Sequence, residues 1–349
     1  MIYRSKLNVF MKLFKYILFL LLIAFIGISI YIAVQPNSFE VSRTRTINAP
    51  AAVIYNNVID FKNWQAWSSW AESDPEMKIY LSEQTKGING SYSWDDKDGV
   101  GMMKTIQTVP DTSIEQEIQI SEFPPSTINW TFNPNNNGST DVTWDIKGTN
   151  LPFMFKMFSV FRGGMDKQIG PHYERSLEKL DSIVVTDMNK YSINIDGITE
   201  HSGGFYIYNS ASSKITNLSE KIKELMARLN AYAVANSLAI NSPFILYHQW
   251  DDANNAVMFS YCIPTSTRVI TTENDILTGQ LNPFKALKTT LKGNYNHLQE
   301  AWKLAMTYIP DHQLQFAEKG PMMESYVNDP LKTPNPADLI TEIFIAIKE

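Results

Sequence analysis

Cysteine is almost absent from this chain of 349 residues, which has a single one, Cys262. One cysteine excludes an intramolecular disulfide framework and any metal or iron–sulfur site built from several thiolates. The sequence also lacks the HExxH, GxSxG, P-loop and GxGxxG motifs, and none of its five histidines lies four residues from another. We therefore expect no metal site and no cofactor, and the sequence identifies no catalytic residue.

Positive charge is scarce outside the first 36 residues. Those residues carry four basic and no acidic side chains, whereas the rest of the chain carries 26 basic and 36 acidic ones. Nucleic-acid binding depends on neutralising phosphates with Lys and Arg, so the composition argues against a nucleic-acid partner. With 44% hydrophobic and 19% charged residues, the chain is typical of globular domains, and its length suggests two of them.

An apolar run from Tyr16 to Val34 carries no charge. As a helix it would extend about 28 Å, close to the thickness of a bilayer's hydrocarbon core. The apolar part of a signal peptide is shorter and ends at a small-x-small site, where this chain has Tyr31-Ile32-Ala33. The sequence thus predicts an uncleaved single-span anchor over residues 16–34.

Flanking charge predicts the orientation of this span. Four basic residues precede it, and two, Arg43 and Arg45, follow closely. The positive-inside rule places residues 1–15 in the cytoplasm and the remainder on the other side of the inner membrane, in the periplasm of a Gram-negative cell.

Aromatic composition changes along the remainder of the chain. Six of the eight tryptophans lie between residues 64 and 144, and tyrosine becomes the commoner ring after residue 186. The change predicts a domain boundary near residues 186–190, which separates a domain over 38–185 from one over 190–349.

The pattern of residues 38–185 predicts an α+β domain. Phe39–Thr44 alternates as a strand does, and Asn48-Ala49-Pro50 has the capping residue and proline of a helix start. Further alternating strands follow between turn sequences. The last feature is one long helix with apolar residues every three or four positions: Phe158, Phe161, Met165, Ile169, Tyr173, Leu177 and Leu180.

Five motifs of this region resemble the polyketide-cyclase/START-like (SRPBCC) family. They are Arg45-Thr46-Ile47-Asn48-Ala49-Pro50, Asp60-Phe61-x-x-Trp64-x-x-Trp67-Ser68-x-Trp70, Asp74-Pro75, Gly90-Ser91-Tyr92-Ser93-Trp94 and Val142-Thr143-Trp144. The resemblance implies a helix-grip fold, with a deep apolar cavity between the sheet and the long helix. Candidate walls of that cavity are Tyr92, Trp94, Trp130, Trp144, Phe158 and Met165, although a packed core would use the same residue types.

Residues 190–349 contain an internal repeat with an offset of 80 residues. Leu218, Ile222 and Leu229 on one predicted helix correspond to Leu298, Trp302 and Ile309 on another. Strands flank each helix, so that the repeats, about 190–265 and 268–348, form two β-α-β-β units. Two such units side by side predict a pseudo-twofold domain with a cleft between its halves.

The segment Gly320-Pro321-x-x-Glu324-x-Tyr326-x-Asn328-Asp329-Pro330 and the final strand Thr341–Ile347 resemble the GyrI-like effector-binding domain, which also occurs in AraC-type and MerR-type regulators. The resemblance implies an aromatic small-molecule pocket on the pseudo-twofold axis, often with one acidic residue facing a cationic or amphiphilic ligand. The chain has no DNA-binding domain of those regulators, which argues against direct transcriptional control.

Glu324 is the strongest candidate for a ligand-binding residue. In an alternating strand, Met322, Glu324 and Tyr326 share one face. If that face lines the cleft, a cationic ligand would offset the cost of burying the carboxylate; the alternative is an ordinary surface glutamate. The candidate aromatic walls, which could equally be core residues, are Tyr326, Tyr247, Trp250 and Tyr206.

These patterns together predict a membrane-anchored protein that binds or senses a hydrophobic or amphiphilic small molecule without converting it. One form of this hypothesis has a cationic ligand. Two alternatives remain open. Some relatives of each domain are enzymes, which allows a cyclase or hydrolase that uses one of the pockets. The short linker after residue 34 holds the first domain within roughly 20 Å of the membrane, which suits a lipid or quinone carrier.

Overall fold

The computed structural model describes residues 2–97 and 99–348. The chain divides into two compact units, Met1–Val185 and Thr186–Glu349. The first begins with helix α1 (Ile2–Ala33). Its stretch Leu13–Ala33 has a mean hydropathy of 2.6 and is almost entirely uncovered by the rest of the protein. Such a helix is long and apolar enough to be a membrane anchor or a signal sequence.

The first unit is built on a seven-stranded antiparallel sheet in the order β1-β7-β6-β5-β4-β3-β2. The strands are β1 (Phe39–Ile47), β2 (Lys78–Leu81), β3 (Ser91–Asp96), β4 (Gly99–Val109), β5 (Ser113–Ile120), β6 (Ser126–Pro134) and β7 (Thr140–Gly148). Its helices are α2 (Ala51–Val58), α3 (Trp64–Trp67), α4 (Ser69–Ser73), α5 (Phe153–Phe161) and α6 (Met165–Met188). Alternate residues of β7 are buried, as expected for a sheet with one covered face.

The single long helix predicted over Phe158–Leu180 is wrong in one respect, because the structure divides it into α5 and α6. The break lies at Gly163 and Gly164, whose φ angles are +87° and +97°. Side chains other than glycine rarely adopt that conformation, so two consecutive glycines end the first helix and let the chain change direction.

Salt bridges connect α6 to the edge strand β1. Arg43 lies 2.9 Å from Asp166 and 2.5 Å from Glu174, and Arg45 lies 2.8 Å from Asp181. The Arg43 guanidinium sits over Gly170, where any added Cβ would lie 2.1 Å from a guanidinium nitrogen. The missing side chain at this position lets the helix approach the sheet closely, as the predicted helix-and-sheet domain requires.

The second unit is an eight-stranded sheet in the order β12-β9-β11-β10-β14-β15-β13-β8. Its strands are β8 (Ser192–His201), β9 (Gly204–Lys214), β10 (Phe244–Asp251), β11 (Ala256–Thr265), β12 (Leu277–Leu281), β13 (Phe284–Lys292), β14 (Met322–Tyr326) and β15 (Ile340–Ala346). Helices α7 (Leu218–Ala235) and α8 (Leu298–Asp311) pack on one face, each over its own apolar cluster.

The predicted duplication is present as β9-α7-β10-β11 and β13-α8-β14-β15, whose helices begin 80 residues apart at Leu218 and Leu298. The halves meet where β10 pairs with β14. Each half also lends a strand to the other: β8 pairs with β13, and β12 pairs with β9. The α+β architecture predicted from the sequence is therefore confirmed for both units.

Candidate ligand-binding sites

A stack of aromatic rings joins the sheet of the first unit to α6. Trp130 and Trp144 are directly opposite on β6 and β7, with ring centroids 4.2 Å apart. Tyr173 of α6 stacks on the other side of Trp144 at 3.7 Å, nearly parallel to it. Such contacts fix ring orientations more firmly than aliphatic packing does. They form one rigid wall at the junction of helix and sheet.

A cavity of about 750 Å³ lies against this wall. Its volume is within the usual range of small-molecule sites, about 300–1,000 Å³. Rings and aliphatic side chains make up most of the lining: Phe61, Trp64, Trp70, Met77, Ile79, Leu81, Tyr92, Trp94, Met103, Ile118, Ile120, Phe123, Ile128, Trp144, Ile146, Phe155, Phe158, Met165, Ile169 and Tyr173. The site can accept a large apolar body.

Five of the six residues proposed for this cavity line it: Tyr92, Trp94, Trp144, Phe158 and Met165. The structure does not place Trp130 at the cavity surface. Trp130 is fully buried behind Trp144, and its indole N–H donates to Oε1 of Gln116 at 3.2 Å. Strand alternation identified the correct face of β6 but could not show how deep each ring lies.

The cavity lining also includes polar side chains, six of which are charged: Lys62, Asp74, Asp96, Lys97, Arg162 and Lys167. His172 stacks on Trp70, and its Nδ1 lies 2.8 Å from Oγ of Ser69, which itself donates to the His172 carbonyl. Burial, and then the charge of Lys97, lower the pKa of His172 below its ordinary value. Burial also raises the pKa of Tyr92 well above its ordinary value. Both side chains are therefore neutral near pH 7.

In the second unit, Glu324 of β14 is buried, with 2% of its surface exposed. Three aromatic side chains donate to its carboxylate: Tyr326 at 2.6 Å and Tyr247 at 3.0 Å to Oε1, and Trp302 at 2.9 Å to Oε2. Glu324 lies opposite Ile245 on β10, at the strand pair where the two halves meet. The predicted placement of this carboxylate among aromatic side chains agrees with the geometry.

The donors to Glu324 are all neutral. Burial is the main cause that raises the pKa of Tyr247 and of Tyr326 well above the ordinary value, and the Glu324 charge adds to it. Tyr295, whose ring packs edge-on against Tyr326 at 5.3 Å, has its pKa raised to about 12. Among the side chains that the structure describes, no Lys, Arg or His forms an ion pair with Glu324. The carboxylate thus has hydrogen-bond donors but no counter-charge.

The other two aromatic residues predicted to surround Glu324 are Trp250 and Tyr206, and neither contacts the carboxylate. Trp250 adjoins Tyr247, with ring centroids 5.6 Å apart, and is 47% exposed. Tyr206 lies on the opposite face of the sheet, in a cluster with Phe244 and Met323, so it does not belong to the Glu324 group. Consecutive residues of a strand point to opposite faces, and the register that decides the face of Tyr206 is set by pairing between distant segments.

Trp302 and Tyr295 were missed as members of this site. The repeat places Trp302 at the position of Ile222 and so suggests a core residue. The signal that could have found it is the departure from that equivalence, since a tryptophan with a buried N–H needs an acceptor. In the part of the chain that the structure describes, no cluster of three metal-ligating side chains occurs.

Two protein families match the chain. Residues 38–184 match the family described as polyketide cyclase / dehydrase and lipid transport, and residues 211–348 match the GyrI-like small molecule binding domain. The chain therefore carries an SRPBCC domain followed by a GyrI-like domain, and both resemblances seen in the sequence are confirmed. The fold and the matches together define a protein with two small-molecule-binding domains.

Solved structures resemble single domains of this chain. The crystal structure of the EcmrR C-terminal domain is 18% identical, with a TM-score of 0.39, and the match covers 46% of this chain and 98% of that one. Protein CV1439 from Chromobacterium violaceum is 16% identical (TM-score 0.31; 42% and 96% covered). TTHA0849 from Thermus thermophilus is 15% identical (TM-score 0.32; 42% and 98% covered). No curated protein matches the chain.

Proposed function

We propose that this protein is a membrane-anchored binding or sensing protein for hydrophobic and amphiphilic small molecules, which it does not convert. We further propose that the GyrI-like domain takes a lipophilic cation at Glu324. The observation that carries this function is the Glu324 carboxylate, buried and hydrogen-bonded by three neutral aromatic donors.

The preference for a cation follows from the free energy of the buried carboxylate. A buried charge without a counter-charge is costly, and hydrogen bonds from neutral donors offset only part of that cost. A ligand cation would supply the missing charge, and the rings of Tyr247, Tyr326 and Trp302 around it are suited to cation–π contact. An anionic ligand of the same shape would instead be repelled by Glu324.

The proposed setting is the bacterial cell membrane. Residues 16–34 would span it, and the charge bias of four basic residues before the span against two after it would place the domains over 38–185 and 190–349 in the periplasm. The apolar cavity of the first domain would then take a second, hydrophobic ligand.

A pair of probes with equal shape and opposite charge tests the proposal. A ligand that binds only the native state stabilises it by RT ln(1 + [L]/Kd) and so raises the thermal midpoint. We expect tetraphenylphosphonium to raise the midpoint of the full-length protein by more than tetraphenylborate does. Recovery of tetraphenylphosphonium at its original mass would support binding without conversion, and equal shifts with both probes would contradict a site selective for cations.

One observation favours the lipid or quinone carrier as a second candidate. The helix α5 both lines the cavity, through Phe155 and Phe158, and contacts the end of α1. Full-length protein purified in detergent and extracted with organic solvent would yield a stoichiometric lipid or quinone if this candidate is correct. A preparation that yields only trace amounts would argue against a resident lipid.

A further inference from the structure

Helix α5 (Phe153–Phe161) has an unusual surface for a helix of a water-soluble domain. Seven of its nine residues are apolar, and only Lys156 and Ser159 are polar, as in a helix of a protein core. Four of those apolar side chains are nevertheless exposed: Phe153, Met154, Phe158 and Phe161, the last at 68%. Contiguous exposed phenylalanines usually mark a surface that is covered by a partner or by lipid.

The one cation of this helix fixes α5 to the end of α1. Lys156 is buried, and its Nζ donates to the carbonyl oxygens of Gln35 at 2.8 Å and of Ala33 at 3.3 Å. Those carbonyls are at the C-terminal end of α1, where a helix leaves acceptors unpaired and favours positive charge. Lys156 thereby acts as a side-chain cap supplied by α5.

The position of α5 relative to a bilayer follows from that contact. The apolar stretch of α1, Leu13–Ala33, ends at the residue whose carbonyl Lys156 binds. At 1.5 Å per residue, this stretch extends about 30 Å, so a bilayer that it spans ends near Ala33. The exposed phenylalanines of α5 then lie at the level where acyl chains meet head groups.

Another side of α5 is a wall of the cavity. Phe155 and Ser159 line it, together with Phe158, which is also partly exposed to solvent, and Phe155 packs between the rings of Phe39 and Phe123. Arg162 and Lys167, just beyond the helix, also reach the cavity lining. Exposed aromatic residues with cations beside them are typical of helices that lie in the plane of a membrane interface.

We propose that α5 lies in the interface of the bilayer that α1 spans, with Phe153, Met154 and Phe161 in contact with lipid, so that the cavity of the first domain opens toward the membrane. A ligand would then enter from the lipid phase rather than from water. This inference rests on the membrane anchor of the proposed function. It adds a second membrane contact, at α5, and an entrance for the cavity.

Quenching by spin-labelled lipid tests the contact in the full-length protein. Phe161→Cys, labelled with an environment-sensitive fluorophore, is reconstituted in vesicles of phosphatidylcholine with a minor share of phosphatidylglycerol. The only native thiol, Cys262, has no exposed surface, so the unsubstituted protein reports background labelling. A nitroxide near the head-group end of the acyl chain should lower the fluorescence about two-fold.

Val109→Cys is the matched control. Val109 is an exposed apolar residue at the end of β4, whereas Ile120, at the far end of the paired strand β5, lines the cavity. The two ends are about 25 Å apart at 3.3 Å per residue. Lipid nitroxide should leave this label unchanged. Circular dichroism and an unaltered thermal midpoint would show that both variants are folded.

Flotation of the vesicles in a density gradient separates this proposal from the anchor on which it depends. Protein that floats with the vesicles, and shows quenching at position 161 but not at 109, supports the contact. Protein that floats but shows equal quenching at both positions overturns the α5 contact and leaves the anchor intact. Protein that stays at the bottom of the gradient overturns the anchor and the contact together.

Discussion

The indole N–H of Trp302 donates to Oε2 of Glu324 at 2.9 Å, a bond between helix α8 and strand β14 of the same repeat. Glu324 is a buried carboxylate on a central strand of the second domain. The bond holds it under α8, a helix whose other residues facing the sheet are apolar. The bond fixes the carboxylate while leaving its charge unpaired. A hydrogen bond to a charged, buried group is among the stronger individual contributions to stability.

Trp302→Phe keeps most of the packing but removes this donor. We expect the free energy of unfolding to fall by about 1–3 kcal/mol, because a buried carboxylate oxygen loses its partner. Urea unfolding followed by circular dichroism measures the change. Trp250→Phe is the control: that indole is exposed and donates to Asp252, so its loss should change stability by no more than about 0.5 kcal/mol. Equal effects would mean that the bond to Glu324 adds nothing.

Gly101→Ala should disturb the cavity of the first domain. Gly101 pairs with Trp94 across β3 and β4, and a Cβ at this position would lie 2.0 Å from the indole ring. The ring must leave its place on the cavity wall, and overpacking of this kind costs about 1–3 kcal/mol. Thermal unfolding measures the loss. Met102→Ala, at the next, exposed position of the strand, should have little effect, and a Gly101→Ala protein as stable as wild type would contradict the close contact.

His172 should make stability depend on pH in the acidic range. Its pKa in the folded state is lowered from 6.5, mainly by burial, so the unfolded chain takes up a proton first as the pH falls. The free energy of unfolding therefore decreases from about pH 6.5 downward until the folded pKa is reached, and it is independent of this group at higher pH. Burial also lowers the pKa values of His201 and His248, so both residues change the free energy of unfolding with pH in the same direction.

His172→Asn keeps a donor to Ser69 but cannot take up the proton. Histidine side chains titrate between about pH 7 and pH 5. Over this range we expect the free energy of unfolding to change less steeply with pH in this variant than in wild type. The slope should not vanish, because the other two histidines remain. An unchanged slope would show that His172 titrates alike in the folded and unfolded protein.

Lys156→Met should loosen the attachment of α5 to α1. The variant leaves the carbonyls of Ala33 and Gln35 without the cation, and we expect faster hydrogen exchange in residues 150–162. Lys147→Met is the control, since Lys147 is exposed and its ion-pair distance to Glu40 is 4.0 Å. Protection that is the same in both variants would mean that Lys156 does not hold the two helices together.

Much of this fold could be predicted from local patterns. Alternation along β14 correctly placed Glu324 and Tyr326 on one face, and the 80-residue offset predicted the two halves of the second domain. The break at Gly163–Gly164 was missed because apolar residues continue at helical spacing on both sides of it. The exchange of β8 and β12 between the halves depends on pairing across the whole domain, which no local pattern reports.

The candidate sites could be predicted only where one element supplies the residues. Tyr247 could be proposed because it is an aromatic residue on a recognisable strand, but its bond to Glu324 joins residues 77 positions apart. Trp302 comes from a helix whose periodicity indicates core packing, and Tyr206 lies on the other face because pairing with β11 and β12 sets the register of β9. Tertiary contacts decide these positions, and propensity does not.

The affinity of the full-length protein for tetraphenylphosphonium, measured by equilibrium dialysis on wild type and Glu324→Gln, tests the central claim most directly. Glutamine keeps one acceptor oxygen, for Tyr247 and Tyr326, but it turns an NH2 group toward the N–H of Trp302 and removes the charge, so we predict a loss of about ten- to a hundred-fold. Glu342→Gln is the matched control on the neighbouring strand, where the carboxylate pairs with Lys288 and should not affect binding. Equal affinity in wild type and Glu324→Gln would contradict the assignment of Glu324 as the counter-charge of a cationic ligand.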